Sequence, residues 1–365
     1  MTWGFLHQSK GPNETMKTIR PSGLLGQGVD VWNQWRYQTG ESIQPDWLMG
    51  PRINLREAQL QRANLRHVNL SLVDFCMADL RHADLCYADL RETLLYTANL
   101  SYAQLTAANL TGADLREVSL HDACLTNASL NAAVLTTADL TRSVLREAQL
   151  RQANLHQARL NQADACMAKL SEADLSWADL SGAILYTADL RKANLSSATL
   201  NQADLREANF ALATLQDAVM HAVNLSAAIC SLANMIGAAL HRADLSIANL
   251  SLANLCMANL SHACLEGTIL IGVNLIATNL HRASLLNANL ENADLREAIL
   301  YQADLRWANL RCADLRMANL SEANLEGANL QGADLTKANL WQTNLKNACL
   351  ADAAMPDGSI FNAGL

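Results

Sequence analysis

A leucine or a close equivalent occupies every fifth position from Leu55 to Met355, without one change of frame. A period of five does not fit a helix, because residues placed about 100° apart would scatter around the axis. Nor does it fit a long strand, in which odd spacing alternates the faces. The chain must therefore turn once in every five residues. Seven of the 61 core positions are not leucine: Phe75, Ala165, Phe210, Met220, Cys230, Met235 and Met355.

Each repeat also places a small residue, usually alanine, two positions before the core residue, with Asp or Asn between them. Residues two apart point the same way, so Ala and Leu face inward and the polar residue faces water. If four such sides close one coil of 20 residues, stacked coils pair their backbones at about 4.8 Å. Residues 52–365 then form nearly 16 coils, an uninterrupted solenoid about 75 Å long.

Segments such as residues 78–82, with the sequence Ala-Asp-Leu-Arg-His, resemble the pentapeptide-repeat proteins. The resemblance covers about 85 % of the chain. It implies an all-β fold, a right-handed quadrilateral β-helix. The handedness and the four-sided section come from the resemblance, whereas periodicity alone shows a turn every five residues.

Residues 1–51 precede the repeats and form a leader. Leu25, Val29, Trp32 and Trp35 recur at helical spacing, which predicts one short amphipathic helix over about residues 27 to 38. An open first coil exposes leucine ends and a strand edge, so we expect this helix to be an N-terminal cap that buries Trp32 and Trp35. The alternative for the two tryptophans is a ligand-binding aromatic pair. The Trp-Asn-x-Trp-Arg segment resembles the leader of many bacterial, notably cyanobacterial, members of the family.

Two features near the end of the repeats leave alternatives open. Met355-Pro356-Asp357-Gly358 resembles a closing phrase of the family, after which Phe361 either folds over the last coil or leaves its end for a second rod. Ala165 removes most of a core side chain, so the coil either narrows there or encloses a small void.

Composition indicates a cytoplasmic protein. No window approaches 18 uninterrupted apolar residues, and the N-terminus lacks the pattern of a secretion signal, so we expect no membrane association. No two of the nine cysteines are 20 residues apart, so disulfides between neighbouring coils are not expected. The formal charge of −8 includes no basic stripe, which argues against direct nucleic-acid binding.

The residues predict no enzyme and no cofactor. Sixteen of the 22 aspartates precede a core position, where a short acceptor caps backbone N–H groups of the turn. No catalytic triad or phosphate-binding loop stands out from the repeat. His221, His241 and His281 share one column, and we interpret them as a solvated ladder, with a metal pair as the alternative.

The best candidate for an interface is a belt of low charge. Residues 211–280 contain only Asp217, Arg242, Asp244 and Glu266 as charged residues. Apolar residues at outward positions of the belt predict an exposed patch of the size that usually marks a binding surface. These candidate interface residues are Leu212, Leu232, Leu252, Ile236, Ile276 and Ile271.

We therefore expect a rigid, non-enzymatic scaffold that binds an unidentified protein partner, with a homodimer as an alternative. The family resemblance implies a further alternative, a DNA-mimic protein that binds a type II topoisomerase. Such mimicry requires dense acidity of one sign, and here arginines dilute it.

Overall fold

The repeats form a four-sided β-helix. The computed structural model describes residue 25, residues 28–39 and residues 53–361. The residue before each core position forms a parallel bridge with the residue 20 positions later, from Asn54–Asp74 to Asp334–Ala354. The bridges fall in four series, so each coil has four sides. We number the sides from the first coil: residues 53–57, 58–62, 63–67 and 68–72.

Backbone hydrogen bonds join each coil to the next one. The N–H of Leu80 donates to the carbonyl of Asn99 at 2.8 Å, and the N–H of Asp79 donates back to Ala58 at 2.9 Å. This ladder needs an N–H group at these positions in every repeat, which proline cannot supply. No proline occurs between Pro51 and Pro356.

The corner of each side is a left-handed residue. Every residue two positions after a core residue, from Glu57 to Asp352, has a positive φ, and fifty-three of them are not glycine. The polar residue before the core position supports the turn, as predicted: the N–H of Cys76 donates to Oδ1 of Asp74 at 2.9 Å. These contacts help to hold a conformation that otherwise costs about 1–2 kcal/mol for an L-residue.

The core positions and the alanines two residues before them fill the interior and are almost completely buried along most of the rod. Ala165 is 3 % exposed in this core. Its N–H donates to Ile184 at 2.7 Å, a length matched by the same bonds of Leu145 at 2.6 Å and Leu185 at 2.8 Å. The ladder between coils is therefore regular at the site where the leucine is missing.

One helix, α1, spans Val29–Thr39, where the sequence predicted about residues 27 to 38. Trp32 is fully buried and Trp35 is 6 % exposed. Side chains of α1 bind the backbone of the first coil on its third side. Trp32 Nε1 donates to the carbonyl of Asn64 at 2.7 Å, while Asn33 Oδ1 accepts from the N–H of Asn64 at 2.8 Å.

Two further bonds extend this contact. Asn33 Nδ2 donates to the carbonyl of Arg62 at 3.0 Å, and Arg36 Nη2 donates to that of Arg66 at 2.5 Å. In the next coil the N–H and carbonyl of Asp84 pair with the backbone of the first coil. The side chains of Trp32 and Asn33 thus occupy the positions that a preceding coil would take on the third side.

At the other end the chain folds back on itself. Ile360 forms an antiparallel bridge with Ala354, and the N–H of Phe361 donates to Ala353 at 2.8 Å. This contact covers the first side of the last coil, and Phe361 remains 40 % exposed. On the other sides the core residues Leu340, Leu345 and Leu350 are half-buried.

Candidate interaction surfaces

The side chains of Leu212, Leu232 and Leu252 form a column at the corner that ends the fourth side. Each is more than half exposed, at 51, 52 and 59 %. Leu252 also leans over Gly272 in the next coil, since a Cβ on that glycine would lie 2.8 Å from Cδ2 of Leu252. The column is therefore a continuous apolar ridge.

Isoleucines widen this ridge on the same side, and all three are exposed. The fourth side carries no charged residue between residues 208 and 272. Its apolar surface is therefore uninterrupted over four coils. We call this surface the leucine face; it consists of Leu212, Leu232, Leu252, Ile229, Ile269 and Ile271.

The other two candidates, Ile236 and Ile276, lie on the adjoining first side and are only partly exposed. Both follow a core residue directly, where neighbouring coils shield part of the side chain. Met257 is 62 % exposed at the corner of that side. Sequence reasoning missed it, although its position two residues after Leu255 is the same corner signal that identified the leucines.

Most of the remaining surface consists of paired charges. In eight repeats an arginine directly after the core residue binds the aspartate directly before it, at N–O distances of 2.5–2.7 Å. The interleaved pairing expected around Arg296, Arg306, Arg311 and Arg316 is confirmed. Acidity along the rod is therefore largely neutralised at these repeats.

The histidine ladder is longer than the sequence predicted. His221 and His241 are in contact, as their spacing indicated, and His262 lies between His241 and His281 with ring centroids 5.4 Å from each. Sequence reasoning missed His262 because it differs from His241 by 21 residues instead of 20. Within the described ranges, no group of three or more His, Cys, Asp or Glu residues is arranged to hold a metal ion.

Two histidines contact serines in a way that resembles part of a catalytic site. Nδ1 of His156 lies 2.8 Å from Ser176 Oγ, and Nδ1 of His241 lies 2.9 Å from Ser261 Oγ. A nucleophilic serine also needs its histidine oriented by a third group. Within residues 53–361, neither imidazole is bonded to a carboxylate.

All nine cysteines are free thiols. Burial raises the pKa of the Cys230 thiol to about 12. This residue occupies a core position, so its thiol serves the interior as a small apolar group. In the part of the chain that the structure describes, no helix has the length and apolarity needed to cross a bilayer.

An open groove of about 330 Å³ lies near the C-terminal end of the rod, lined by Arg296, Glu297, Arg316, Met317, Thr336 and Lys337. Its two arginines are bound to Asp294 and Asp314. The groove therefore presents ion pairs instead of unneutralised charge.

Comparison with known sequences gives a family match over most of the chain. The sequence profile described as pentapeptide repeats matches in overlapping segments that begin at residue 53 and end at residue 352. A search of curated proteins found no match.

Solved structures give further similarities. The chain is 32 % identical to HetL, a pentapeptide repeat protein involved in heterocyst differentiation regulation in the cyanobacterium Nostoc sp. strain PCC 7120, covering 82 % of this chain and 93 % of HetL with a TM-score of 0.17. It is 40 % identical to Rfr23 from the cyanobacterium Cyanothece 51142, over 29 % of this chain and 58 % of Rfr23, with a TM-score of 0.20. QnrB1, a plasmid-mediated fluoroquinolone resistance protein, is 19 % identical over 44 % of this chain and 86 % of its own, with a TM-score of 0.29.

Proposed function

Since this chain belongs to the pentapeptide repeat family, whose fold is a right-handed β-helix, we propose that it is a non-enzymatic scaffold whose leucine face binds a protein partner. The observation that carries this proposal is an uncharged ridge of exposed leucines on a rod whose acidity is otherwise largely paired. Exposed apolar areas of a few hundred Å² usually mark binding surfaces.

Local backbone preference supports a role in contact. Leu212, Leu232 and Leu252 have φ values of 64°, 59° and 59°. Asn, Asp and Gly tolerate this conformation better than leucine does. Three leucines in successive coils are therefore not explained by what the corner itself needs.

The uncharged character of the face favours a partner with an apolar surface of its own. The ridge from Leu212 to Gly272 spans three coil spacings, about 14 Å. A standard interface buries about 800 Å² on each partner, so the contact would extend onto the first side around Met257. A second copy of this chain is the alternative occupant. The nine free thiols favour a reducing compartment, which is consistent with a cytoplasmic protein.

A double substitution, Leu232→Asp with Leu252→Asp, tests the proposal. Aspartate is tolerated at left-handed corners, so the melting temperature is expected to stay close to that of the parent. Leu72→Asp is a matched control, because Leu72 occupies the same corner column, is also exposed and lies outside the leucine face.

The measurements are chemical crosslinking in native lysate and sedimentation of the purified protein. The expected result is a defined crosslinked partner with the parent and with the Leu72→Asp variant, and its loss with the double variant. Self-association that the double substitution abolishes would identify the partner as a second copy. Identical crosslinks for all three proteins would end the proposal.

We also propose that α1 is the N-terminal cap, supported by the bonds of Trp32 and Asn33 to the backbone of Asn64. The DNA-mimic alternative ranks lower, because arginines neutralise the aspartates of eight repeats. A supercoiling assay with a type II topoisomerase separates the two: inhibition by the parent at micromolar concentrations would favour mimicry.

A further inference from the structure

Five aromatic rings follow one another along the second side. The ring centroids of His221 and His241 are 6.2 Å apart, and those of His241 and His262 are 5.4 Å apart. His281 lies 5.4 Å from His262 and stacks on Tyr301 at 5.2 Å with nearly parallel planes. The ladder thus continues without a break across five coils.

Two arginines flank the ladder in the corner column of His262. Arg242 precedes His262 by one coil and Arg282 follows it by one coil. Neither forms an ion pair within residues 53–361, and Arg282 Nε donates to the amide oxygen of Gln302 at 2.6 Å. We call this surface the histidine face; it consists of His221, His241, His262, His281, Arg242 and Arg282.

The histidine face has no countercharge on its own side. No Asp or Glu occurs on the second side between residues 198 and 302. The nearest carboxylates lie on adjoining sides and have partners there: Asp244 accepts from the N–H of Ser246 at 2.9 Å, and Asp217 accepts from the amide of Gln216 at 3.3 Å. The other titratable groups bordering this face are Cys264, Glu266, Glu297, Tyr301, Asp304 and Glu322.

The surroundings of His262 reflect this imbalance. Burial lowers its pKa first, followed by the positive charges of His281, His241, Arg282 and Arg242. No acidic side chain is among the causes of the shift. An anion from outside the chain would therefore supply the charge that the second side lacks.

We propose that the histidine face binds an acidic segment of a polypeptide, and that this binding strengthens as the pH falls from about 8 to about 5.5. Carboxylates form charge-assisted hydrogen bonds with both guanidinium and imidazolium groups. Near pH 8 only the two arginines are charged, whereas protonation of the imidazoles adds up to four cations in one line. Binding of an anion in turn favours the protonated form of each histidine.

The dimensions fit an extended peptide. From His221 to Tyr301 the face spans four coil spacings, about 19 Å. An extended chain rises about 3.3 Å per residue, so about six residues cover this length. Nucleic acid fits less well, because its affinity usually rests on six to ten phosphate contacts and the face has two permanent cations.

This inference does not rest on the leucine face. In a four-sided coil the second side is opposite the fourth, so the two surfaces lie on opposite sides of the same coils. Occupation of one leaves the other accessible, and each proposal can fail alone.

The test is fluorescence anisotropy with a labelled peptide of eight glutamates, titrated with the full chain at several pH values between about 8 and 5.5. Ionic strength is held at about 50 mM, because screening weakens exposed ion pairs. The expected result is affinity that is about tenfold tighter at the lower pH. Glutamate remains largely ionised over this range, so the change reports on the protein.

Three variants assign the effect. His241→Gln with His262→Gln is expected to remove most of the pH dependence, and Arg242→Gln with Arg282→Gln to weaken binding at every pH. His82→Gln is the matched control, since His82 lies in the corner column of His262 and stacks on Tyr102 at 4.9 Å, in coils distant from this face. It is expected to bind the peptide as the parent does.

A second measurement on the parent does not depend on the variants folding. Histidine ring resonances are titrated by NMR with and without the peptide, and bound peptide is expected to raise the pKa values of the histidines of this face alone. Unchanged histidine titration, or equal weakening by His82→Gln, would overturn the proposal. Tighter binding of an oligothymidylate of equal charge, lost in the same variants, would assign the face to nucleic acid instead.

Discussion

The carboxylate of Asp79 accepts three hydrogen bonds from the guanidinium of Arg81, two residues later, at 2.6–3.0 Å. It accepts a fourth from the backbone N–H of Arg81 at 3.1 Å. The side-chain bonds from Arg81 are the main cause that lowers the pKa of Asp79 to about 2. One aspartate thus fixes the turn and neutralises the arginine that follows it.

This pairing predicts sensitivity to acid. Because the folded pKa of Asp79 lies below the ordinary value of about 3.9, its contribution to stability is complete above pH 4 and is lost between about pH 4 and pH 2. Arg81→Gln should therefore lower the melting temperature at pH 7, and the difference from the parent should shrink toward pH 2. Melting followed by circular dichroism measures this. Arg151→Gln is the control, since Arg151 has no ion pair within residues 53–361; an equal pH trend in both variants contradicts the prediction.

Ser143→Ala should stabilise the protein. Ser143 occupies an inward alanine position, and its Oγ is fully buried without a hydrogen-bond partner. An unsatisfied buried hydroxyl costs about 1 kcal/mol or more, so removing it should raise the free energy of unfolding by about 1 kcal/mol. Thr268→Ala is the comparison, because Thr268 Oγ1 donates to Leu245 at 2.8 Å and its loss should not stabilise. Denaturant unfolding distinguishes the two, and a lower midpoint for Ser143→Ala would refute the argument.

Ala165→Leu should also stabilise the protein. The regular ladder bonds of Ala165 indicate that the backbone does not close in to replace the missing side chain. Filling the space between Leu145 and Leu185 should contribute about 2 kcal/mol, the lower end of the cost of a buried Leu-to-Ala change. Leu185→Ala, one coil later, should lower stability by a similar or larger amount. A lower melting temperature for Ala165→Leu would show that the coil has narrowed there.

Asn33→Ala should weaken the N-terminal end of the rod. It removes the acceptor for the N–H of Asn64 and the donor to the carbonyl of Arg62. We expect loss of about 1 kcal/mol and faster amide exchange in the first coil. Gln34→Ala is the control, since Gln34 is exposed on the same helix. Unchanged exchange at Asn64 in the Asn33 variant would contradict a capping role for α1.

The local pattern was sufficient to predict the repeating unit. An inward Ala and Leu two residues apart, with a polar residue between them, determine which side chains face the core, because every repeat makes the same turn. The corner position followed from its seven glycines, and the structure shows the same left-handed backbone at the non-glycine corners. The belt of low charge could also be read from the sequence, since outward positions recur in register.

Lateral contacts between coils were not predictable by counting in steps of 20. Side chains lean as they stack, so residues 18 and 21 apart also meet: Ser101 Oγ lies 2.8 Å from Ser119 Oγ, and the Tyr96 hydroxyl lies 3.3 Å from Glu117. His262 joins the ladder through the same 21-residue offset from His241. A rule based on identical positions in successive coils cannot find such pairs.

The sequence by itself determined the five-residue turn, the buried leucine column and the polar outer surface, because these depend only on residues within one repeat. The tertiary structure alone decided that Asn33 meets Asn64, that Phe361 returns to Ala353 and that four histidines form one ladder. Those contacts depend on where separate segments lie relative to one another, and on the direction in which side chains lean between stacked coils. Neither is fixed by the local periodicity of the chain.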